Sequence, residues 1–211
     1  VLVAGVANSL CYAESKVIFV SDEKNPHIAF AKQELQAALE GRGHTVSHAS
    51  LTQMATDQVG PCVVLGTLGN TTMLGEMRRH GITASTSLKP EGYRICSGSG
   101  RNKETTWIVG ADSAGAMYGG LELAEVIRCS GLKGVQAVDQ NPYMPLRGIK
   151  FNCPLDERTP TYSSHNGDSQ RKNVLVMWDL DFWKAYIDDL ARFRYNYLSL
   201  WNLHPFPSMV R

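Results

Sequence analysis

The sequence predicts an α/β chain. An accessory α+β domain, built on a mixed sheet with helices on one face, is followed by the first βαβ of a TIM-type (β/α)8 barrel. Three observations carry this expectation. From Lys16 to Gly131, short β-rich runs alternate with segments of helical spacing. Glu91–Cys96 and Thr105–Gly110 flank a turn at Gly98–Lys103, which makes a hairpin and so mixes the strand directions. The last quarter reads apolar run, amphipathic helix, apolar run, and strands joined by such a crossover are parallel.

Lys16–Ser21 is β-rich and reads as the first strand. Asn25 caps the next helix, with Pro26 at its first position. Ile28, Ala31, Leu35, Ala38 and Leu39 recur at helical spacing, and Gly41 and Gly43 end the run. His44–Leu51 alternates as a strand, and Pro61–Gly66 is a short buried strand. Thr71 is the expected cap of a helix running to Arg79. After the hairpin, Asp112 or Ser113 caps a helix that ends near Gly131. Its glycines and alanines leave a thin face able to lie close to a sheet. Gly131–Pro145, with two prolines, is the best linker.

The C-terminal unit runs from Arg147-Gly-Ile-Lys-Phe-Asn152 to Asn196-Tyr-Leu-Ser-Leu-Trp-Asn-Leu-His204. Asp179 caps its helix, and Trp183, Tyr186, Ile187 and Leu190 are the expected buried stripe. A parallel sheet needs cover on both faces, so two strands imply further βα units, and the barrel is expected to be truncated at Arg211. The expected domains are 1–13, a signal-peptide remnant; 14–140, the accessory domain; and 141–211, the barrel start. Val1–Ala13 is small and apolar, with Cys11 and Ala13 at the small positions before a cleavage site; this predicts an exported protein. A first strand at Val1–Val6 is the alternative.

With 43% hydrophobic and 19% charged residues, the chain is that of a globular protein, and no stretch has the length and apolarity of a membrane-spanning helix. A net charge of +1 supplies no basic field for nucleic acid. Five cysteines lack C-x-x-C spacing and six histidines are scattered, so neither a metal site nor a cofactor is indicated. Cys62 and Cys96 lie in apolar runs as small core residues, and export would permit a disulfide among Cys62, Cys96, Cys129 and Cys153. Gly110-Ala-Asp-Ser-Ala-Gly115 follows a strand and opens a helix, but its spacing is neither G-x-G-x-x-G nor a P-loop. Packing glycines are expected there, not a nucleotide cradle.

In (β/α) barrels ligands meet the C-terminal ends of strands and the loops beyond them. Those ends are Asn152-Cys153 and Asn202-Leu-His204. The first loop, from Pro154, is long and polar and carries Asp156, Glu157, Arg158, Tyr162, His165, Asn166 and Asp168. Asn202 and His204, with Asp156 and Glu157, are therefore candidate substrate-binding residues, and Trp183 and Tyr186 are core rather than sugar platforms.

The helix Ala31-Lys-Gln-Glu-Leu-Gln-Ala-Ala-Leu39 and the segment Ile108-Val-Gly-Ala-Asp-Ser-Ala-Gly-Ala-Met-Tyr-Gly119 resemble the accessory α/β domain that precedes the barrel in exo-acting glycosidases. These include the α-glucuronidases of glycoside hydrolase family 67 and the β-hexosaminidases. Pro142-Tyr-Met-Pro-Leu-Arg147-Gly148 is similar to the proline-containing Arg-Gly segment that opens their first barrel strand. The resemblance covers residues 16–211. It implies a carbohydrate substrate and, by analogy with the hexosaminidases, a sugar contact at Arg147. The hexosaminidase acid and arginine soon after that strand have no clear counterpart here, since Asn152-Cys-Pro precedes Asp156-Glu-Arg158. The families' catalytic carboxylates lie on later strands, so the catalytic residues are unknown in this chain and expected beyond Arg211. The function expected is the N-terminal portion of a secreted, α-glucuronidase-like hydrolase, inactive by itself. A non-catalytic carbohydrate-binding protein with the same accessory domain is the alternative. The sequence does not set the oligomeric state.

Overall fold

A computed structural model describes residues 15–22, 24–54, 60–84, 87–98, 105–153, 172 and 175–201. The chain separates into two compact units, Val1–Pro142 and Tyr143–Arg211.

The first unit holds strands β1 (Lys16–Val20), β2 (Thr45–Ala49), β3 (Cys62–Thr67), β4 (Tyr93–Ser97), β5 (Thr105–Gly110) and β6 (Val138–Gln140). Its helices are α1 (Pro26–Glu40), α2 (Thr71–Arg79) and α3 (Ser113–Ser130). The six strands form one sheet in the order β2-β1-β3-β5-β4-β6. β2, β1, β3 and β5 run parallel, and β4 lies antiparallel to both β5 and β6. The mixed sheet is as the hairpin predicts. The central strands β3 and β5 are almost wholly buried, as their unbroken apolar runs require.

Three side-chain oxygens start the three helices. Asn25 Oδ1 accepts from the Ile28 amide at 3.0 Å. Asp112 Oδ1 accepts from Gly115 at 2.8 Å. In α2 the cap is Asn70, whose Oδ1 accepts from Met73 at 3.1 Å, rather than the expected Thr71. Asn70 has extended backbone and its amide oxygen reaches the third helical N–H, which is the capping geometry.

The sequence predicts the helices on one face; α1 and α3 share one and pack against each other, whereas α2 does not join them. Gly120 of α3 lets Ala31 of α1 approach to within 2.8 Å of where a Cβ would stand. Gly119 lies against Ile108 and Tyr93 in the same way, so the thin face of α3 meets the sheet. The other face is covered too. Met73 and Met77 of α2, with Leu51, pack on Val20, Val64, Trp107 and Val109. Trp107 and Ile108 are neighbours on a strand and point to opposite faces, which fixes α2 opposite α3. Glu34 of α1, 6% exposed, meets Arg128 of α3 at 2.7 Å and so closes the helix pair with a half-shielded ion pair.

Two further differences concern the sequence-expected linker and the disulfide. Val138–Gln140, inside the linker, adds an edge strand beside β4, with Asp139 facing Arg94. All three of its residues are exposed, so it carries no apolar pattern. The four described cysteines are unpaired: Cys62, Cys96 and Cys153 are buried and Cys129 is exposed. Burial pushes the Cys62 thiol up to about 12 and raises Cys96 and Cys153 as well. Because the thiolate is the reactive form, Cys129 is expected to react with a thiol reagent in the native protein at pH 8, while Cys62, Cys96 and Cys153 are released only by denaturant. Counting labelled sites by mass spectrometry checks this, and native labelling of Cys62 contradicts it. The sign for stability follows. The folded-state value of Cys62 lies above the unfolded one, so its contribution is complete below about pH 8.5 and is lost as pH rises towards 12.

Candidate functional site

The second unit comprises β7 (Gly148–Asn152), α4 (Leu180–Arg192) and β8 (Tyr197–Trp201). β7 and β8 are parallel, with Gly148 opposite Tyr197 and Asn152 opposite Trp201. The strand–helix–strand pattern read from the sequence is therefore a parallel βαβ. Asp179 starts α4, its carboxylate accepting from the Asp181 amide at 2.9 Å.

The helix meets the sheet through aromatic rings. Phe151 stands 5.5 Å from Trp183, 5.1 Å from Tyr186 and 6.3 Å from Phe182, centroid to centroid. Trp183 donates its indole N–H to the Met177 carbonyl at 2.9 Å. Trp183 and Tyr186 thus serve packing, as their helical spacing predicts. Ile187 does not join them; it is 54% exposed, and Phe182 packs in the cluster with Trp183 instead, so the buried stripe is rotated towards Phe182. Cys153, just past the end of β7, is buried with Met177 beneath Phe151, Val176 and Leu200. Its proximity, after burial itself, raises the Tyr186 hydroxyl above its ordinary value.

Since Phe151 and Leu200 face α4, alternation turns Lys150 and Ser199 to the opposite face, where they are opposite each other in register. That is the face that lines the interior when such a unit closes into a barrel. Lys150 is a candidate that sequence reasoning passed over. The signal was present: a lysine in the middle of Gly148-Ile-Lys-Phe-Asn152, where a parallel strand is otherwise apolar.

Arg147 precedes β7, at the strand's N-terminal end. Its Nε donates to the Arg194 carbonyl at 2.8 Å and its Nη1 to the Met144 carbonyl at 2.7 Å. Asn196 completes a clasp, accepting from the Arg147 amide at 2.9 Å and donating to the Pro145 carbonyl at 2.8 Å. The segments entering the two strands are thereby tied together. The other candidates, Asp156, Glu157, Asn202 and His204, lie outside the described residues.

The helix N-terminus at Gly110–Gly115 is filled by protein. Both Asp112 carboxylate oxygens accept backbone N–H groups, from Gly115 and from Glu91 at 2.9 Å. A Cβ on Gly115 would lie 2.2 Å from the Gly92 carbonyl oxygen. These glycines are packing positions, as their spacing indicated.

No described helix is long and apolar enough to cross a membrane. The family model described as "Glycosyl hydrolase family 67 N-terminus" matches residues 4–123, and the chain belongs to that family. It is a glycoside hydrolase-related domain. Among solved structures, a GH138 enzyme targeting pectin rhamnogalacturonan II superposes with a TM-score of 0.64 at 23% identity, over 93% of this chain and 25% of that one. A glycoside hydrolase family 20 β-N-acetylglucosaminidase gives 0.42 at 18% identity, over 87% of this chain and 26% of that one. The first of these shares the fold. The chain spans about a quarter of the length of either enzyme. A search of curated proteins found no match.

Proposed function

We propose that this chain is the N-terminal portion of a secreted, α-glucuronidase-like glycoside hydrolase acting on oligosaccharide or polysaccharide. Its residues 141–211 open the (β/α)8 catalytic barrel. One observation carries the reading: a domain of the family 67 N-terminal type is followed directly by a parallel βαβ whose described residues leave large apolar side chains exposed. No residue of α4 is fully buried, and Leu175, Trp178, Leu180 and Ile187 are exposed. Parallel strands are stable with both faces covered, so further βα units account for this surface.

In this reading Asp156, Glu157, Asn202 and His204 contribute to a substrate wall, joined by Lys150 on the inward face. Arg147 contributes as a residue fixed by its carbonyl partners. The pair of carboxyl groups that cleaves a glycosidic bond comes from later strands. The 211-residue chain is expected to release no sugar from glucuronide-capped oligosaccharides or aryl glycosides, and a form extended beyond Arg211 is expected to do so. Turnover by the short form would place the acids within this chain and refute the division of labour. Sugar binding without turnover by the extended form would favour a carbohydrate-binding protein.

A further inference from the structure

The two edges of the six-stranded sheet are not equivalent. At one edge, β6 is three residues long, carries Asp139 in an ion pair and is followed closely by Pro142. Short length, charge and proline are devices that keep a sheet edge from pairing. At the other edge, β2 is five residues long, Thr45-Val-Ser-His-Ala49, with neither a formal charge nor a proline. Among the described residues it pairs with β1 alone. Beside it lies an open groove of about 470 Å³, with His48 of β2 on one side and Lys32, Gln33, Gln36 and Glu40 of α1 on the other.

The charges along that groove are arranged symmetrically. Lys32 and Glu40 stand eight residues apart on α1, four on either side of Gln36. Lys32 rests its ammonium 5.7 Å from the Phe19 ring, and Gln36 donates to Glu40 at 2.7 Å. A two-fold axis beside Gln36 sets Lys32 of one copy against Glu40 of another, twice. The same axis, perpendicular to the sheet, runs the two β2 strands antiparallel about Ser47 and keeps both α1 helices on one face of the continued sheet. A two-fold interface requires a surface complementary to itself, and this stripe is one.

We propose that the β2 edge and the Lys32–Glu40 stripe of α1 form a self-association surface, where two copies of this chain join their sheets into one of twelve strands, twice the six of a single copy. A five-residue ladder with one helix stripe is a small interface, below about 1,200 Å² in total, so the dimer is a weak one of roughly micromolar affinity.

Sedimentation velocity of the 211-residue chain over a concentration series tests this, with charge reversal as the discriminating arm. Lys32→Glu and Glu40→Lys each place like charges together twice. Each is expected to weaken dimerisation at least about fivefold, and the double variant is expected to restore it. Both positions are at the surface, and circular dichroism confirms that the variants fold. A chain that stays monomeric up to about 1 mM overturns the proposal. So does a dimer indifferent to the three variants, since its contacts lie elsewhere, as on the exposed apolar surface of α4.

Discussion

Replacing Gly110 with alanine is expected to destabilise the first unit by at least about 3 kcal/mol, the overpacking range and beyond. Gly110 is the last residue of β5, and α3 turns back immediately above it. A Cβ there would stand 2.0 Å from the Ala116 nitrogen, 2.4 Å from the Asp112 oxygen and 2.6 Å from the Ala116 Cα. Every one of these atoms is backbone, so no side chain can swing aside. The strand cannot shift either, since β5 is hydrogen-bonded to β3 on one side and β4 on the other. A natural domain has about 5–15 kcal/mol in total, and the melting temperature should fall by about 6–12 °C or more. Gly75 is the control. It sits inside α2 with nothing within 4 Å of where an added methyl would stand, and Gly75→Ala should stabilise by about 0.5–1 kcal/mol through the unfolded chain. Thermal melts of the two variants decide the matter; equal effects would refute the packing account.

The second large effect is expected at Trp107, the largest of the fully buried side chains. It stands at the centre of the α2-covered face, packed with Val64, Met73 and Met77, and the His80 ring lies 5.5 Å away. Trp107→Ala removes all of these contacts and leaves a cavity that a sheet paired on both sides cannot close, costing about 3–5 kcal/mol. Trp107→Phe should cost much less, about 1 kcal/mol. Among the described residues the buried indole N–H has no hydrogen-bond partner, and deleting it relieves a desolvation penalty of about 1–3 kcal/mol that offsets part of the lost packing. Chemical denaturation of both variants checks the pair. A phenylalanine variant as unstable as the alanine one would mean that the N–H is satisfied in solution.

The elements legible in the sequence were those whose information is local. Helices α1 and α3 announced themselves through Asn25, Asp112 and apolar residues at helical spacing, and β3 through an unbroken apolar run. What stayed hidden depends on partners distant in sequence. β6 is three exposed residues whose strand character exists only because β4 lies beside it. The face covered by α2 follows from strand order. With right-handed crossovers, β1 to β2 leads one way along the sheet and β2 to β3 leads back, so the connection carrying Leu51 falls on the face opposite α1, where α2 packs against it. Strand order is not written in periodicity. In the second unit the sequence indicated Arg147 but not Arg194 and Asn196, which hold it from 47 and 49 residues away. Lys150 was legible in principle, from alternation alone.

The Asp112 carboxylate has one more consequence. It joins the start of α3 to Glu91, and Ala111 donates to the Gly92 carbonyl beside it at 2.9 Å. The alignment of β4 with β5 is therefore locked at the end of the hairpin away from its turn. The register of the two strands is thus set where α3 begins, so a change at Ser97 or Thr105 leaves the pairing of Tyr93 with Gly110 in place as long as Asp112 keeps both amides.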